Sequence, residues 1–246
     1  MSRGSKQAGQ PNVLGRYWGI PESFVGLALA VLFMLLLVRW LTSGGYYDGH
    51  LALVLSYAVV WVPLLGACVF ACFVAGTGSL KTDLRLQFTV LDALFGISIG
   101  LLARAVASLI EIAFYGRMSG LGVTFGEIVY DGWWVFGTLL APILLAPFVE
   151  ELFFRGLVQN SAQRVLTRTL PRSGALLISL LVSGSSFTLL HLAEVTNVTA
   201  GLVLGLSTLV FGLGSALLTT LTGRIGGSIV AHVTFNGSLV LAALLA

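Results

Sequence analysis

Long apolar runs constrain this chain more than any other feature. Seven of them are near or above the roughly 20 residues that a helix needs to cross a bilayer, and they lack the alternating polarity typical of membrane β-barrel strands. In lipid, only helices and closed barrels satisfy the backbone, so the sequence predicts an all-α, polytopic transmembrane bundle. The predicted spans are Ser23–Leu41, Leu51–Ala75, Phe88–Tyr115, Trp133–Phe154, Gly174–Leu192, Thr199–Leu221 and Ile225–Ala246.

Composition supports this class. Charged residues make up 9% of the chain and hydrophobic residues 57%, against roughly 25% charged residues in a soluble domain. Nothing suggests a soluble second domain or a nucleic-acid partner, and the first apolar run is too long for a signal peptide. We expect a flexible cytoplasmic tail over residues 1–22 and one transmembrane domain over residues 23–246.

The basic residues predict the orientation of the spans. With a cytoplasmic N-terminus, ten of the thirteen Lys and Arg residues fall in inner segments, Arg39 and Arg117 fall outside, and Arg104 lies within the third span. Cytoplasmic loops carry an excess of Lys and Arg, so the sequence predicts an N-in/C-out protein. The short tail and compact size are more typical of bacteria, and we expect the bacterial plasma membrane.

Two carboxylates and a guanidinium end the fourth run, in Glu150-Glu151-Leu-Phe-Phe-Arg155. Ionisable groups inside a membrane span are costly and mark a functional site by default. Arg155 follows Glu151 by four residues, which favours a helical ion pair that is near neutral and tolerates burial. Adjacent helical residues point about 100° apart, so Glu150 has no local partner and is free to act as a general base.

Polar residues in later spans complete a candidate site. His191 ends the fifth span, and His232 and Asn236 lie one turn apart in the seventh. A single His in an apolar helix is most often a packing or hydrogen-bonding residue. His232 and Asn236 share a helix face, however, and could supply two donors to one point, as an oxyanion hole requires. With His191 and Glu150 sharing a water, these groups suffice for peptide hydrolysis.

These motifs together resemble the signatures of the CAAX-processing and bacteriocin-processing (CPBP, or Abi) intramembrane endopeptidase family, in that family's order, over residues 142–246. The motifs are Glu150-Glu151-x-x-x-Arg155, Phe187-x-x-x-His191 and His232-x-x-x-Asn236. The resemblance implies that Glu150 and His191 activate water and that His232 and Asn236 stabilise the oxyanion. It also implies a membrane-associated substrate, either a prenylated CAAX-like peptide or a precursor peptide.

The role of a metal stays open at this level. The resemblance is compatible with metal-dependent and metal-independent chemistry, and Glu150, His191 and His232 would be a plausible ligand set for a divalent ion such as zinc. The chain contains no HExxH motif of zinc proteases. We favour direct activation of water by the carboxylate over a metal.

Two rival interpretations remain. A serine protease dyad could use Ser185 or Ser186 with His232, but it leaves Glu150 and Asn236 without a role. A non-catalytic scaffold, an immunity factor or a small transporter could also be built from this bundle. Arg104 would suit an anionic transport substrate, although pairing with Asp92, Glu111 or a carboxylate of the candidate site is the simpler expectation.

The predicted span edges create a conflict in depth. They place Glu150 near the inner end of the fourth span and His191 near the outer end of the fifth, about 20 Å apart in depth at 1.5 Å per residue. A shared water requires the fourth span to continue to about Gln159 and the fifth to be tilted or broken at residues 183–186. We expect the shared cavity to open toward the cytoplasm.

Overall fold

The computed structural model describes residue 15 and residues 17–45, 48–118, 131–193 and 195–245. These ranges contain helices and turns but no strand. The helices are α1 (Ile20–Leu41), α2 (Gly49–Phe73), α3 (Leu80–Asp83), α4 (Val90–Tyr115), α5 (Gly132–Leu166), α6 (Arg172–Leu192), α7 (Val198–Thr222) and α8 (Gly226–Leu245). Most of the predicted tail, residues 1–14, lies outside the described residues.

The helices confirm a multi-pass membrane protein. By length and composition, six of the helices within the described ranges can cross a membrane: α1, α2, α4, α5, α6 and α7. α8 is a shorter apolar helix over Gly226–Ala242, and it coincides with the predicted seventh span. The N-in/C-out orientation stays a prediction.

α5 is longer than its predicted span. It runs for 35 residues, Gly132–Leu166, and is π-helical over Val135–Leu145 and Leu152–Gln159. Within the first π segment, the Ala146 N–H donates to the Ala141 carbonyl, five residues back. The next carbonyl, that of Pro142, would accept from Pro147, which has no N–H. That carbonyl therefore needs a donor from elsewhere.

The fifth span was expected to be tilted or broken at residues 183–186, and it is not broken, because α6 is one continuous helix. The small residues there pack α6 closely instead. Ser183 donates to the Phe154 carbonyl of α5 at 2.9 Å, and a Cβ on Gly184 would lie 2.8 Å from the Leu213 side chain of α7. Small residues in membrane helices allow such close approach.

The connection between α5 and α6 removes the conflict in depth. Glu150 lies sixteen residues before Leu166, the end of α5, and His191 lies nineteen residues after Arg172, the start of α6. The chain reverses between these helices, so the two residues differ in depth by only about 5 Å at 1.5 Å per residue. The fourth span was expected to continue to about Gln159; it continues further, to Leu166, and brings this about without a break in α6.

α4 and α8 are held against each other by close packing and by an ion pair. A Cβ on Gly100 of α4 would lie 2.5 Å from the Ala231 carbonyl oxygen of α8. At the start of both helices, the Arg224 Nε donates to both oxygens of Asp92 at 2.8 and 2.9 Å. These contacts fix the helix that carries His232 and Asn236.

We expect Gly100→Ala to lower the free energy of unfolding by about 1–3 kcal/mol, because the added methyl group overpacks a backbone contact. Thermal unfolding of the purified protein in detergent measures this change. Gly66→Ala in α2 is the matched control, since a Cβ there meets nothing within 4 Å and Ala favours a helix. Equal destabilisation by both substitutions would contradict the packing argument.

Candidate active site

Glu150 of α5 faces the two predicted histidines from two other helices. Its Oε2 lies 3.9 Å from Nε2 of His191 on α6 and 3.8 Å from Nε2 of His232 on α8. That oxygen is buried and has no hydrogen-bond partner. The separations exceed hydrogen-bond length but suit a bridging water. The structure thus brings together three residues that the sequence places far apart.

The ring of His191 has a defined hydrogen-bond arrangement. Its Nδ1 lies 2.9 Å from the Phe187 carbonyl oxygen. A carbonyl only accepts, so Nδ1 carries the hydrogen and Nε2 of the neutral ring presents a lone pair to the side of Glu150. A water between Glu150 and His191 would therefore meet two acceptors.

Glu151 organises the other side of the site. The Ser215 hydroxyl on α7 donates to its Oε2 at 2.8 Å, and the His232 Nδ1 lies 2.9 Å from its Oε1. Since a carboxylate held by a guanidinium accepts, His232 donates through Nδ1 and turns Nε2 toward Glu150. Glu151 was expected to pair with Arg155, and the structure adds His232 and Ser215 to its partners.

Arg155 is fully buried, and it supplies the positive charge that Glu151 needs. Its Nη1 forms an ion pair with Glu151 Oε1 at 3.0 Å, and its Nη2 donates to the Gly212 carbonyl at 3.2 Å. The guanidinium also lies over the Phe187 ring, 4.7 Å from its centre, a favourable cation–π contact. Arg155 was counted among the basic residues of the inner segments when the orientation was predicted. It lies inside the helix bundle instead.

Asn236 serves the backbone of α5. Its Nδ2 donates at 2.8 Å to the Pro142 carbonyl, the acceptor that Pro147 leaves without an intrahelical donor. An amide nitrogen carries two hydrogens, so one remains for a ligand. Asn236 and His232 line the same cavity, as their shared helix face predicts.

The cavity in front of these residues measures about 230 Å³, well above the roughly 10–15 Å³ that one water needs. Its wall runs from Glu150 and His232 along α8 to Val240, away from the α5–α6 connection. Under the predicted orientation this is the outer half of the bundle, so the lining does not support the expected cytoplasmic opening. The cavity extends in this direction because space is left between the side chains beyond His232 on α8 and those opposite them on α4 and α7.

Arg104 also lines this cavity, together with Glu111. The two side chains form an ion pair at 2.5 Å, and the Arg104 guanidinium lies 5.3 Å from the centre of the Phe235 ring. The expectation that Arg104 pairs with a carboxylate is confirmed, and the partner is Glu111. The resulting wall has polar groups but little net charge.

Glu150 faces the two other candidate metal ligands at separations wider than those between the ligands of a zinc ion. The part of the chain that the structure describes holds no group of three or more His, Cys, Asp or Glu side chains suited to a metal. Glu150 Oε2 is 3.8 and 3.9 Å from the two imidazole nitrogens, wider than the roughly 3.4 Å between ligands on a tetrahedral zinc with bonds of about 2.0–2.1 Å.

The serine alternative finds no support in the geometry. Ser185 is exposed on α6, and the Ser186 hydroxyl donates to the Ser183 carbonyl at 3.1 Å. Neither residue lines the cavity that contains His232. By contrast, Ser215 contacts the site through Glu151, and sequence reasoning missed it because a single Ser in an apolar helix carries no distinctive spacing.

Residues 132–238 match the family model described as type II CAAX prenyl endopeptidase Rce1-like. The match contains all three motifs and agrees with the predicted resemblance, so this part of the chain is similar to membrane proteases of the Rce1-like type. No curated protein and no solved structure matches the chain.

Glu150 and Glu151 are expected to differ sharply in their effect on stability. Glu151→Gln leaves the buried Arg155 without its counter-charge, so we expect a loss of about 3–5 kcal/mol in the free energy of unfolding. Glu150→Gln removes a carboxylate whose Oε2 has no partner, and we expect equal or greater stability than that of the wild type. Thermal unfolding in detergent compares the two isosteric variants.

Ser215→Ala is the control for this comparison. It removes one hydrogen bond to Glu151 and leaves the Arg155 pair, so we expect a loss of about 1 kcal/mol. A Glu150→Gln variant that is as unstable as Glu151→Gln would show that both carboxylates are structural.

Proposed function

We propose that this protein is an intramembrane endopeptidase that hydrolyses a peptide bond of a membrane-associated substrate, with Glu150 and His191 activating water. The observation that carries the proposal is the buried, unpartnered Oε2 of Glu150, which faces two imidazole nitrogens at 3.8 and 3.9 Å. A structural ion pair would place a donor on that oxygen, and Arg155 instead pairs with the neighbouring Glu151.

The attacking water lies between Glu150 and His191 in this mechanism. It donates one hydrogen to the Glu150 carboxylate and the other to the lone pair of His191 Nε2, so its oxygen lone pairs point into the cavity. The oxygen attacks the scissile carbonyl carbon, and the proton passes to Glu150 as general base. Glu150 then returns that proton to the leaving amine, which balances the hydrolysis of the C–N bond.

The developing oxyanion is stabilised by His232 and Asn236. Asn236 contributes the amide hydrogen that the Pro142 carbonyl leaves unused. His232 donates from Nε2 when its ring carries both hydrogens, and Glu151 then holds the other one at Nδ1. Donors that are fixed before the reaction contribute most to such stabilisation, and both side chains are fixed by contacts to α5.

The match to CAAX prenyl endopeptidases and the position of the site support a membrane-associated substrate. A cavity among membrane helices admits a peptide that is itself held at the bilayer, by a prenyl group at a CAAX-like C-terminus or by an apolar precursor segment. We propose both as candidate substrates. The side from which the substrate enters depends on the orientation of the chain, which cysteine labelling from each side of the membrane would measure.

The decisive experiment compares membrane fractions from cells that express the wild type or Glu150→Gln at matched levels. New peptide termini, identified by mass spectrometry, are expected with the wild type and absent with the variant. Gln keeps the size of Glu but does not accept the proton from water, so we expect a loss of at least 100-fold in rate, in line with the usual contribution of a general base.

Glu22→Gln serves as the matched control. Glu22 of α1 also has a buried oxygen without a hydrogen-bond partner, but it lies outside the cavity of Glu150. We expect this variant to produce the same termini as the wild type. Identical termini from folded wild type and Glu150→Gln would refute the protease and favour a scaffold, an immunity factor or a transporter.

We propose direct activation of water by Glu150 over activation by a metal, because Glu150 Oε2 lies 3.8 and 3.9 Å from the two imidazole nitrogens, wider than the roughly 3.4 Å between ligands on a tetrahedral zinc. Incubation of the membranes with 1,10-phenanthroline is then expected to leave the rate of terminus formation unchanged. Inhibition that added zinc reverses, together with stoichiometric zinc in the purified protein by mass spectrometry, would overturn this choice. A non-chelating phenanthroline isomer is the control for effects of the compound itself.

A further inference from the structure

Ser207 of α7 is an exception among the buried hydroxyls of that helix. Its Oγ has no hydrogen-bond partner in the described part of the chain, although the residue is only 8% exposed. The other buried or half-buried hydroxyls of α7 all have partners: Thr208, Ser215, Thr219, Thr220 and Thr222. A buried hydroxyl without a partner is unfavourable and calls for an explanation.

The neighbouring residue, Thr208, lines the same cavity but uses its hydroxyl within α7. Thr208 donates to the Leu204 carbonyl of its own helix at 2.7 Å, as Ser and Thr side chains in helices commonly do. Ser207 makes no such bond and lines the cavity that also contains Glu150. Its hydroxyl is therefore available to a group that enters this cavity.

The position of Ser207 defines which part of a substrate it reaches. Phe211, one turn further along α7, contacts the His232 ring with 4.5 Å between the ring centres. Four residues of helix advance about 6 Å, and an extended peptide advances about 3.3 Å per residue. For an extended peptide that runs along α7, Ser207 would therefore lie roughly two residues from the position next to His232.

The charge of the wall indicates the kind of group that binds. Arg104, which lines the same cavity, is paired with Glu111, so this wall has little net charge to hold an anion. A neutral acceptor fits better, and a peptide backbone offers one carbonyl per residue.

We propose that the Ser207 hydroxyl donates a hydrogen bond to a backbone carbonyl of the bound peptide, about two residues from the scissile bond. This inference rests on the proposed protease function. It makes Ser207 a substrate-binding residue that aligns the peptide in front of Glu150, separate from the groups that perform the chemistry.

The test follows the rate of terminus formation in membranes that contain wild type, Ser207→Ala, Thr208→Val or Glu150→Gln at matched levels. We expect Ser207→Ala to slow cleavage about three- to tenfold, the usual effect of one lost hydrogen bond between neutral groups. Thr208→Val keeps the shape of the side chain and removes a hydroxyl that α7 already uses, so its rate should equal that of the wild type.

Two further measurements separate substrate binding from structure. With the purified protein and a synthetic peptide that spans a cleavage site found in the membranes, Ser207→Ala should raise KM and leave kcat nearly unchanged. Its Tm should equal or exceed the wild-type value, because the substitution removes an unpaired buried hydroxyl. The effect on KM should be the same for peptides that end in a carboxylate or in an amide.

Each outcome decides between the claims. The role of Ser207 is overturned if Ser207→Ala cleaves at the wild-type rate, or if Ser207→Ala and Thr208→Val slow cleavage equally. In either case, faster cleavage by the wild type than by Glu150→Gln still supports the protease. A KM effect confined to the peptide with a free carboxylate overturns the backbone assignment. Identical termini from wild type and Glu150→Gln overturn the protease, and this inference with it.

Discussion

The buried ion pair between Glu151 and Arg155 is the interaction on which the site depends. A guanidinium inside a membrane bundle requires a counter-charge, and Glu151 supplies it from the preceding turn of the same helix. The pair then draws in polar groups from other helices, the Ser215 hydroxyl and Gly212 carbonyl of α7 and the His232 ring of α8. One pair thereby sets the lateral position of three helices and the orientation of one imidazole.

Because Arg155 pairs with Glu151, the Glu150 carboxylate has no cationic side chain paired with it. Its Oε2 faces the imidazole nitrogens of His191 and His232, both beyond direct hydrogen-bond length. The backbone of α5 shows a similar arrangement. Pro147 leaves the Pro142 carbonyl without a donor from its own helix, and Asn236 donates one of its two amide hydrogens to that carbonyl. In both cases a structural contact holds a polar group in place, and a second group, the Glu150 carboxylate or the other Asn236 amide hydrogen, stays available to the cavity.

Much of the site could be predicted because its spacing follows helix geometry. Glu151 and Arg155 are four residues apart, as are His232 and Asn236, and both spacings place side chains on one face. Ser215 and Ser207 could not be identified in this way, since isolated Ser residues are common in membrane helices. The break considered for α6, as the alternative to a tilt, is absent for a related reason: Ser183 and Gly184 interrupt an apolar run in sequence but serve close packing in space.

The sequence by itself determined the membrane-spanning helical class and the residues of the three motifs, because apolar run length and i to i+4 spacing are local properties of a chain. Only the tertiary structure decided how Glu150 and His191 meet, since the depth of a residue depends on where its helix begins and turns. It also decided that Glu151 holds His232 and that the cavity follows α8 to Val240. Contacts between helices depend on packing, which no single segment of sequence contains.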